Sequence, residues 1–235
     1  MNFKDFDPKS SKFQEVSSIK EAEALVAAYP NSSKAWLMYM TCCLKQEETN
    51  KARSIAKRAL QTINFREDGE KLNVWKALLN LENHYGTDES IDKIFKEALI
   101  YNDQKKIYYH IMDILIAAKK SEKLEEVLKT ALKKFKTDKE FWIKICSYYM
   151  QSGNQKEARN YYSRSLQCTI PKEHADIMGK FAHLEYKFGD LERSFSMYEE
   201  ILVKYPKRKD LRSVYVHLLK QQGQNERANV LTNFV

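Results

Sequence analysis

Tryptophan occurs three times in this chain, at Trp36, Trp75 and Trp142, and each is followed 24 residues later by a leucine: Leu60, Leu99 and Leu166. The same step links Tyr108 to Leu132 and Met178 to Leu202. A sixth unit opens at Arg212, and Val235 stands one residue short of its leucine. Starts near 36, 75, 108, 142, 178 and 212 are therefore 39, 33, 34, 36 and 34 residues apart. A chain with this period is expected to fold by stacking like units on one another.

Other columns define the unit. Three residues after each start stand Tyr39, Leu78, Ile111, Ile145, Phe181 and Tyr215. Eleven after stand Gly86, Gly153, Gly189 and Gly223, with Glu47 and Lys119 as exceptions. Sixteen after stand Ala52, Ile91, Leu124, Ala158, Ser194 and Ala228, and nineteen after stand Ile55, Ile94, Val127, Tyr161, Met197 and Leu231. Positions 0, 3, 4 and 7 share one helix face. Glycine at plus eleven suits a left-handed residue that ends a helix. Small residues at plus sixteen let a second helix approach closely. Each unit is thus predicted to be a helical hairpin.

One hairpin cannot bury its apolar face alone, so neighbours stack. The fold class is all-α: an α-solenoid of about six hairpins plus a leading helix, expected as a right-handed superhelix over residues 13–235. A half-unit at 14–28 precedes the first start, since VAAYP at 26–30 matches LVKYP at 202–206. Pro30, Pro171 and Pro206 punctuate helix ends. Residues 1–12 are polar and are expected to be disordered. Only 6 Gly and 4 Pro in 235 residues fit helix almost throughout.

Catalytic patterns are missing. There is no HExxH, GxxxxGK[ST], GxGxxG or GxSxG. Neither His84 nor His183 pairs with cysteine at metal spacing, and both are read as structural. Cys42, Cys43, Cys146 and Cys168 lack CxxC spacing and are read as buried free thiols. Glu125-Glu126 and Glu199-Glu200 suit solvated helix faces. No catalytic, metal or cofactor residue is assigned, and no small-molecule substrate is expected. No apolar run approaches the roughly 18 residues of a membrane span, and MNFKDFDPKS is unlike a signal peptide. A soluble intracellular protein without a membrane partner is expected.

Charge is uneven. Residues 1–100 hold 15 basic and 15 acidic side chains; residues 101–235 hold 25 and 17, the whole excess of +8. The excess is dense at 129–139, with Lys129, Lys133, Lys134 and Lys136, and at 204–212, with Lys204, Lys207, Arg208, Lys209 and Arg212. These nine are the candidate phosphate contacts, with a solubilising surface as the other reading. Tyr161, Tyr162 and Tyr198 fall in or beside repeat columns and are read as core rather than base-stacking groups.

The longest spacing, Trp36 to Trp75, accommodates INFREDGEKLNVW. Its extra residues, Arg66 to Glu70, are expected to form an exposed bulge turned at Gly69. Ile63, Phe65, Leu72 and Val74 should tuck onto the array. Arg66, Glu67, Asp68 and Glu70 are candidate partner-docking residues, and a tolerated insertion is the alternative.

The columns resemble the half-a-TPR (HAT) family. Trp36, Trp75 and Trp142 match its opening tryptophan; Glu82 and Glu185 match its plus-seven glutamate; Gly86, Gly153, Gly189 and Gly223 match its turn glycine. Ala52-Arg53, Ala158-Arg159 and Lys57-Arg58-Ala59-Leu60 match its second helix, whereas Cys43, Leu115, Tyr149 and Leu219 replace the glutamate. RALQTINFREDGEKLNVWKALLNLENHYGT, KFAHLEYKFGD, YPKRKDL and YNDQKK are similar to the C-terminal HAT region of large ribosomal-RNA biogenesis factors, over roughly residues 20–230. The resemblance implies a non-catalytic scaffold in the nucleus and nucleolus, acting in pre-rRNA processing and pre-ribosome assembly. Its implied partners are pre-ribosomal proteins of the small-subunit processome type and precursor rRNA. A HAT adaptor in pre-mRNA splicing or mRNA 3′-end processing is the alternative. Some HAT arrays dimerise, which leaves self-association open. Those factors also carry an N-terminal OB-fold array with no counterpart here, and their HAT array runs past Val235, so the chain is read as a fragment or a shortened homologue.

Overall fold

The computed structural model describes residues 18–233. The expectation for residues 1–12, and the first residues of the 14–28 half-unit, lie outside that range. Thirteen α-helices account for 82% of the described residues, with no strand among them. A leading helix, α1 (Ile19–Ala28), is followed by six pairs. They are α2 (Ser33–Lys45) with α3 (Thr49–Thr62), α4 (Asp68–Tyr85) with α5 (Asp88–Tyr101), and α6 (Gln104–Ala117) with α7 (Ser121–Lys134). Then come α8 (Lys139–Gln151) with α9 (Gln155–Cys168), α10 (Pro171–Phe188) with α11 (Leu191–Lys204), and α12 (Lys209–Gln221) with α13 (Asn225–Asn233). The pairs coincide with the six repeats, and the fold is all-α, built of helical hairpins.

Local chemistry starts these helices. The side chains of Ser18, Asp103, Asn154 and Asp190 each accept a hydrogen bond from the backbone N–H three residues on. Thr87 and Ser90 form a reciprocal capping box at α5. Pro171 opens α10 at its first turn, where its missing N–H costs nothing.

Packing groups the chain into two compact units that divide between Val127 and Leu128, within α7. In the first, Trp36, Tyr39, Val74, Trp75, Leu78, Ile91, Ile107, Tyr108 and Ile111 form the core. In the second, Phe141, Trp142, Ile145, Met178, Phe181, Phe195, Tyr198 and Tyr215 do so. All six plus-sixteen residues are buried, as close helix approach requires. Tyr198 is buried, while Tyr161 and Tyr162 are half-buried and stack on Tyr149 and Phe181 at 5.0 and 4.3 Å.

The repeat start has a recurring polar anchor. The indole N–H of Trp36 donates to the Pro30 carbonyl at 2.8 Å, and that of Trp142 to the Lys136 carbonyl at 2.8 Å. In the sixth unit the Arg212 guanidinium reaches the equivalent Pro206 carbonyl at 3.3 Å. The half-unit is in register as well. Tyr39 donates to Glu23 at 2.5 Å just as Tyr215 donates to Glu199 at 3.0 Å, 16 residues apart in both cases.

Three expectations need correction. First, the plus-eleven turn has two forms. Gly153 (φ 80°) and Gly223 (φ 73°) are left-handed, and so are the non-glycine exceptions Glu47 (φ 62°) and Lys119 (φ 56°). Gly86 (φ −103°) and Gly189 (φ −126°) are not, so glycine is there for another reason. Secondly, residues 66–70 form no bulge. Asp68, Gly69 and Glu70 are the first turn of α4, which reaches 18 residues against 13 for α2. Asp68 and Glu70 suit the positive end of the helix dipole, and Glu70 also accepts the Ser33 N–H, which together favour extension over a loop. Ile63 and Val74 are buried, but Phe65 is 73% exposed. Thirdly, Cys42, Cys43 and Cys146 are buried free thiols, whereas Cys168 is exposed at the end of α9.

Candidate functional site

The buried glutamates explain the second turn form. Glu82 is 4% exposed, and Arg53 of the preceding repeat donates to both its carboxylate oxygens, at 2.8 and 3.2 Å. Ser90 donates to it at 2.8 Å. Glu185 is fully buried and receives Arg159 of the preceding repeat at 2.8 and 3.0 Å, with Arg193 at 3.2 Å and the Asp190 N–H at 3.1 Å. A Cβ at Gly86 or Gly189 would overlap these carboxylates, so glycine leaves room for an anion. The plus-seven glutamate, the plus-eleven glycine and the preceding repeat's arginine therefore form one device. Such paired, hydrogen-bonded charges are the form in which ions are tolerated in a core. Where Cys43, Leu115, Tyr149 or Leu219 replaces the glutamate, the turn residue is left-handed instead.

Electrostatics at Glu82 run in opposite directions. Burial pushes its pKa up, but hydrogen bonds from Arg53 and Ser90, with the charges of Arg53 and Lys57, outweigh burial and hold the carboxyl below the ordinary range. A depressed carboxylate pKa stabilises the fold fully above the unfolded value, about pH 4.3, and that stability fades as pH falls through the folded pKa. In urea titrations at descending pH, Glu82→Gln should lose stability less steeply on the acid side. The difference is at most about 1.4 kcal/mol per pH unit, the limit for one proton.

The two basic runs differ in availability. Lys129, Lys133 and Lys134 are exposed on α7, and Lys136 is exposed just beyond it. Lys204, Lys207 and Lys209 are exposed where α11 passes into α12. Arg208 is held by Asp176 at 2.8 Å and by Asp210 at 2.7 and 2.8 Å. Asp176 also receives Lys139 at 2.6 Å. The Lys139 hydrogen bond chiefly, with Arg208 against some burial, lowers the Asp176 pKa. A phosphate would have to displace carboxylates to engage Arg208. Arg212 also serves the Pro206 carbonyl, so the lysines carry the accessible charge.

Residues of the extended segment also divide. Arg66, Glu67 and Asp68 are exposed, and the Arg66 guanidinium lies 5.5 Å over the Phe65 ring. Glu70 instead turns inward and accepts the Ser33 N–H at 2.5 Å, at the first residue of α2, where no cap side chain serves. Sequence reasoning missed the exposed pair Phe65 and Tyr101, each 73% exposed. The available signal was Ile100-Tyr101, two bulky apolar residues beyond the leucine that closes the second unit.

Among the described residues, no group of three or more His, Cys, Asp or Glu side chains is placed to hold a metal ion. No described helix is long and apolar enough to cross a membrane. His84 is exposed; His183 is half-buried and its Nδ1 lacks a partner.

Residues 105–229, more than half of the chain, match the family described as suppressor of forked protein (Suf). The chain belongs to the Suf family of HAT-repeat proteins. The chain is 42% identical over 206 residues to the human Protein RRP5 homolog, covering 88% of the chain and 11% of that protein. It is 40% identical over 218 residues to the rRNA biogenesis protein rrp5 of Schizosaccharomyces pombe, covering 92% of the chain and 13% of that protein. The rRNA biogenesis protein RRP5 of Drosophila melanogaster is 37% identical over 230 residues, or 97% of the chain and 16% of that protein. The Suf-family chain thus spans between 11% and 16% of the length of these relatives.

Proposed function

We propose that this chain is a non-catalytic interaction module in ribosome biogenesis, acting in pre-rRNA processing and pre-ribosome assembly in the nucleolus. The carrying observation is the 37–42% identity, over most of the chain, to RRP5 proteins of human, fission yeast and fly, the latter two named for rRNA biogenesis. The architecture supports the reading. Its buried carboxylates, Glu82 and Glu185, are spent on packing repeats together, and what remains accessible is surface: exposed lysines on α7 and where α11 passes into α12, and the first turn of α4. Protein partners of the pre-ribosomal particle meet the helical surface, and precursor rRNA meets the lysines. Affinity purification of the tagged chain should enrich precursor rRNA and pre-ribosomal proteins. Enrichment of pre-mRNA with splicing or 3′-end factors would assign it to the alternative.

The lysine surface has its own test. Lys207→Glu with Lys209→Glu should weaken single-stranded RNA binding and lower the log–log salt slope by roughly 0.7 for each phosphate no longer neutralised. Discrimination between RNA sequences should stay unchanged, because phosphate contacts position rather than specify. Unaltered binding isotherms across salt would leave these lysines a solubilising role.

A further inference from the structure

Trp75 breaks the pattern set by Trp36 and Trp142. Their indole N–H groups donate to a loop carbonyl six residues earlier. Six residues before Trp75 is Gly69, which the extension of α4 has placed inside the helix. Trp75 Nε1 has no hydrogen-bond acceptor among the described residues, and it is not sealed from solvent. Trp75 is 7% exposed, and its ring stacks on Tyr101 at 6.0 Å with 10° between planes.

Trp75 lines a groove of about 440 Å³ within the first unit, with Leu60, Phe65, Asp68, Lys71 and Tyr101 around it. Phe65 and Tyr101 are each 73% exposed there. Large aromatic rings left in water beside an unpaired donor have the composition of an interaction hot spot. The charges decide the class of occupant. Asp68 and Lys71 offset one another, the Arg66 guanidinium over Phe65 is followed by exposed Glu67, and residues 1–100 carry no net charge. Nothing there attracts a polyanion as the lysines of the second unit would. The Trp75 N–H, with the Gln61 and Asn102 amides beside it, calls for a neutral acceptor, and the rings call for an apolar side chain.

We propose that this groove docks an uncharged, extended peptide segment of a partner protein. An aromatic or long aliphatic side chain enters between Phe65 and Tyr101, and a backbone carbonyl accepts the Trp75 N–H. The extension of α4 serves the groove by removing the internal acceptor and by presenting Phe65 beside Trp75. This holds whichever ribonucleoprotein particle the chain serves, so it stands or falls separately from the role in ribosome biogenesis.

The test uses the full chain and a random peptide library displayed on phage. Peptides sharing an apolar anchor in a neutral context should be enriched, and a synthetic copy should shift the Trp75 indole resonance in a ¹H–¹⁵N spectrum. Phe65→Ala and Tyr101→Ala remove exposed rings, so the helical circular dichroism should persist while peptide affinity falls about tenfold for each. Trp75→Phe keeps a ring but loses the donor and should weaken binding roughly three- to tenfold. Enriched peptides whose binding survives both alanine variants, or a library that yields none shifting that resonance, would overturn the proposal. So would a single-stranded RNA oligonucleotide that shifts it in their place, which would assign the groove to bases.

Discussion

Trp142→Ala should destabilise the chain by about 3–5 kcal/mol, the cost of lost transfer energy plus a large residual cavity. Trp142 is 1% exposed, and its N–H satisfies the Lys136 carbonyl at 2.8 Å. Arg164 lies 5.9 Å over its face, so the substitution removes a cation–π interaction together with the core packing. In a repeat array each hairpin leans on its neighbours, so α8 and α9 should lose hydrogen-exchange protection before α12 and α13. The comparison is Val203→Ala, at a residue 84% exposed, which should change stability by about 0.5 kcal/mol or less. A loss under about 1 kcal/mol at Trp142 would mean that the tryptophan column does not organise the repeats.

The second large effect concerns two glycines at the same repeat position. Gly189→Ala should cost more than about 2 kcal/mol, because its methyl group would occupy the place of the Glu185 carboxylate and strand Arg159 and Arg193. Gly153→Ala should cost only about 1–2 kcal/mol, the strain of a left-handed backbone, since nothing lies near its Cβ. The decisive comparison is the double variant Gly189→Ala with Glu185→Ala. Equilibrium denaturation should show the pair far from additive, with the second substitution relieving much of the first. Additivity within about 0.5 kcal/mol would separate the glycine from the glutamate.

These two glycines also mark how far the chain can be read without coordinates. The hairpins are legible because apolar spacing reports which helix face is buried, and all six repeat starts fall within first helices. The reason for each glycine is not legible. Gly86 and Gly153 occupy one column, but backbone angle and a neighbour's carboxylate are tertiary facts. Arg53 and Glu82 lie 29 residues apart, on different repeats, and only packing shows that one answers the other. Around Gly69, glycine and four charged residues suit a turn; a helix N-terminus accepts the same composition, and continuation into α4 wins. Phe65 reads as covered because apolar residues usually are, but it is 73% exposed, with the Arg66 guanidinium over its ring. Arg208 belongs to a basic run by sequence, yet Asp176 and Asp210 hold it. The lysine candidates remain a matter of charge density, visible in the sequence and unchanged by the fold.

We propose that this surface serves the maturation of ribosomal RNA. The measurement that bears on it most directly is depletion of this chain from a living cell, followed by quantification of newly made RNA precursors. Unprocessed precursor rRNA should accumulate within one cell generation, while spliced and 3′-processed messenger RNA stays at its ordinary level. Normal rRNA processing together with accumulating unspliced or unprocessed messenger precursors would contradict it.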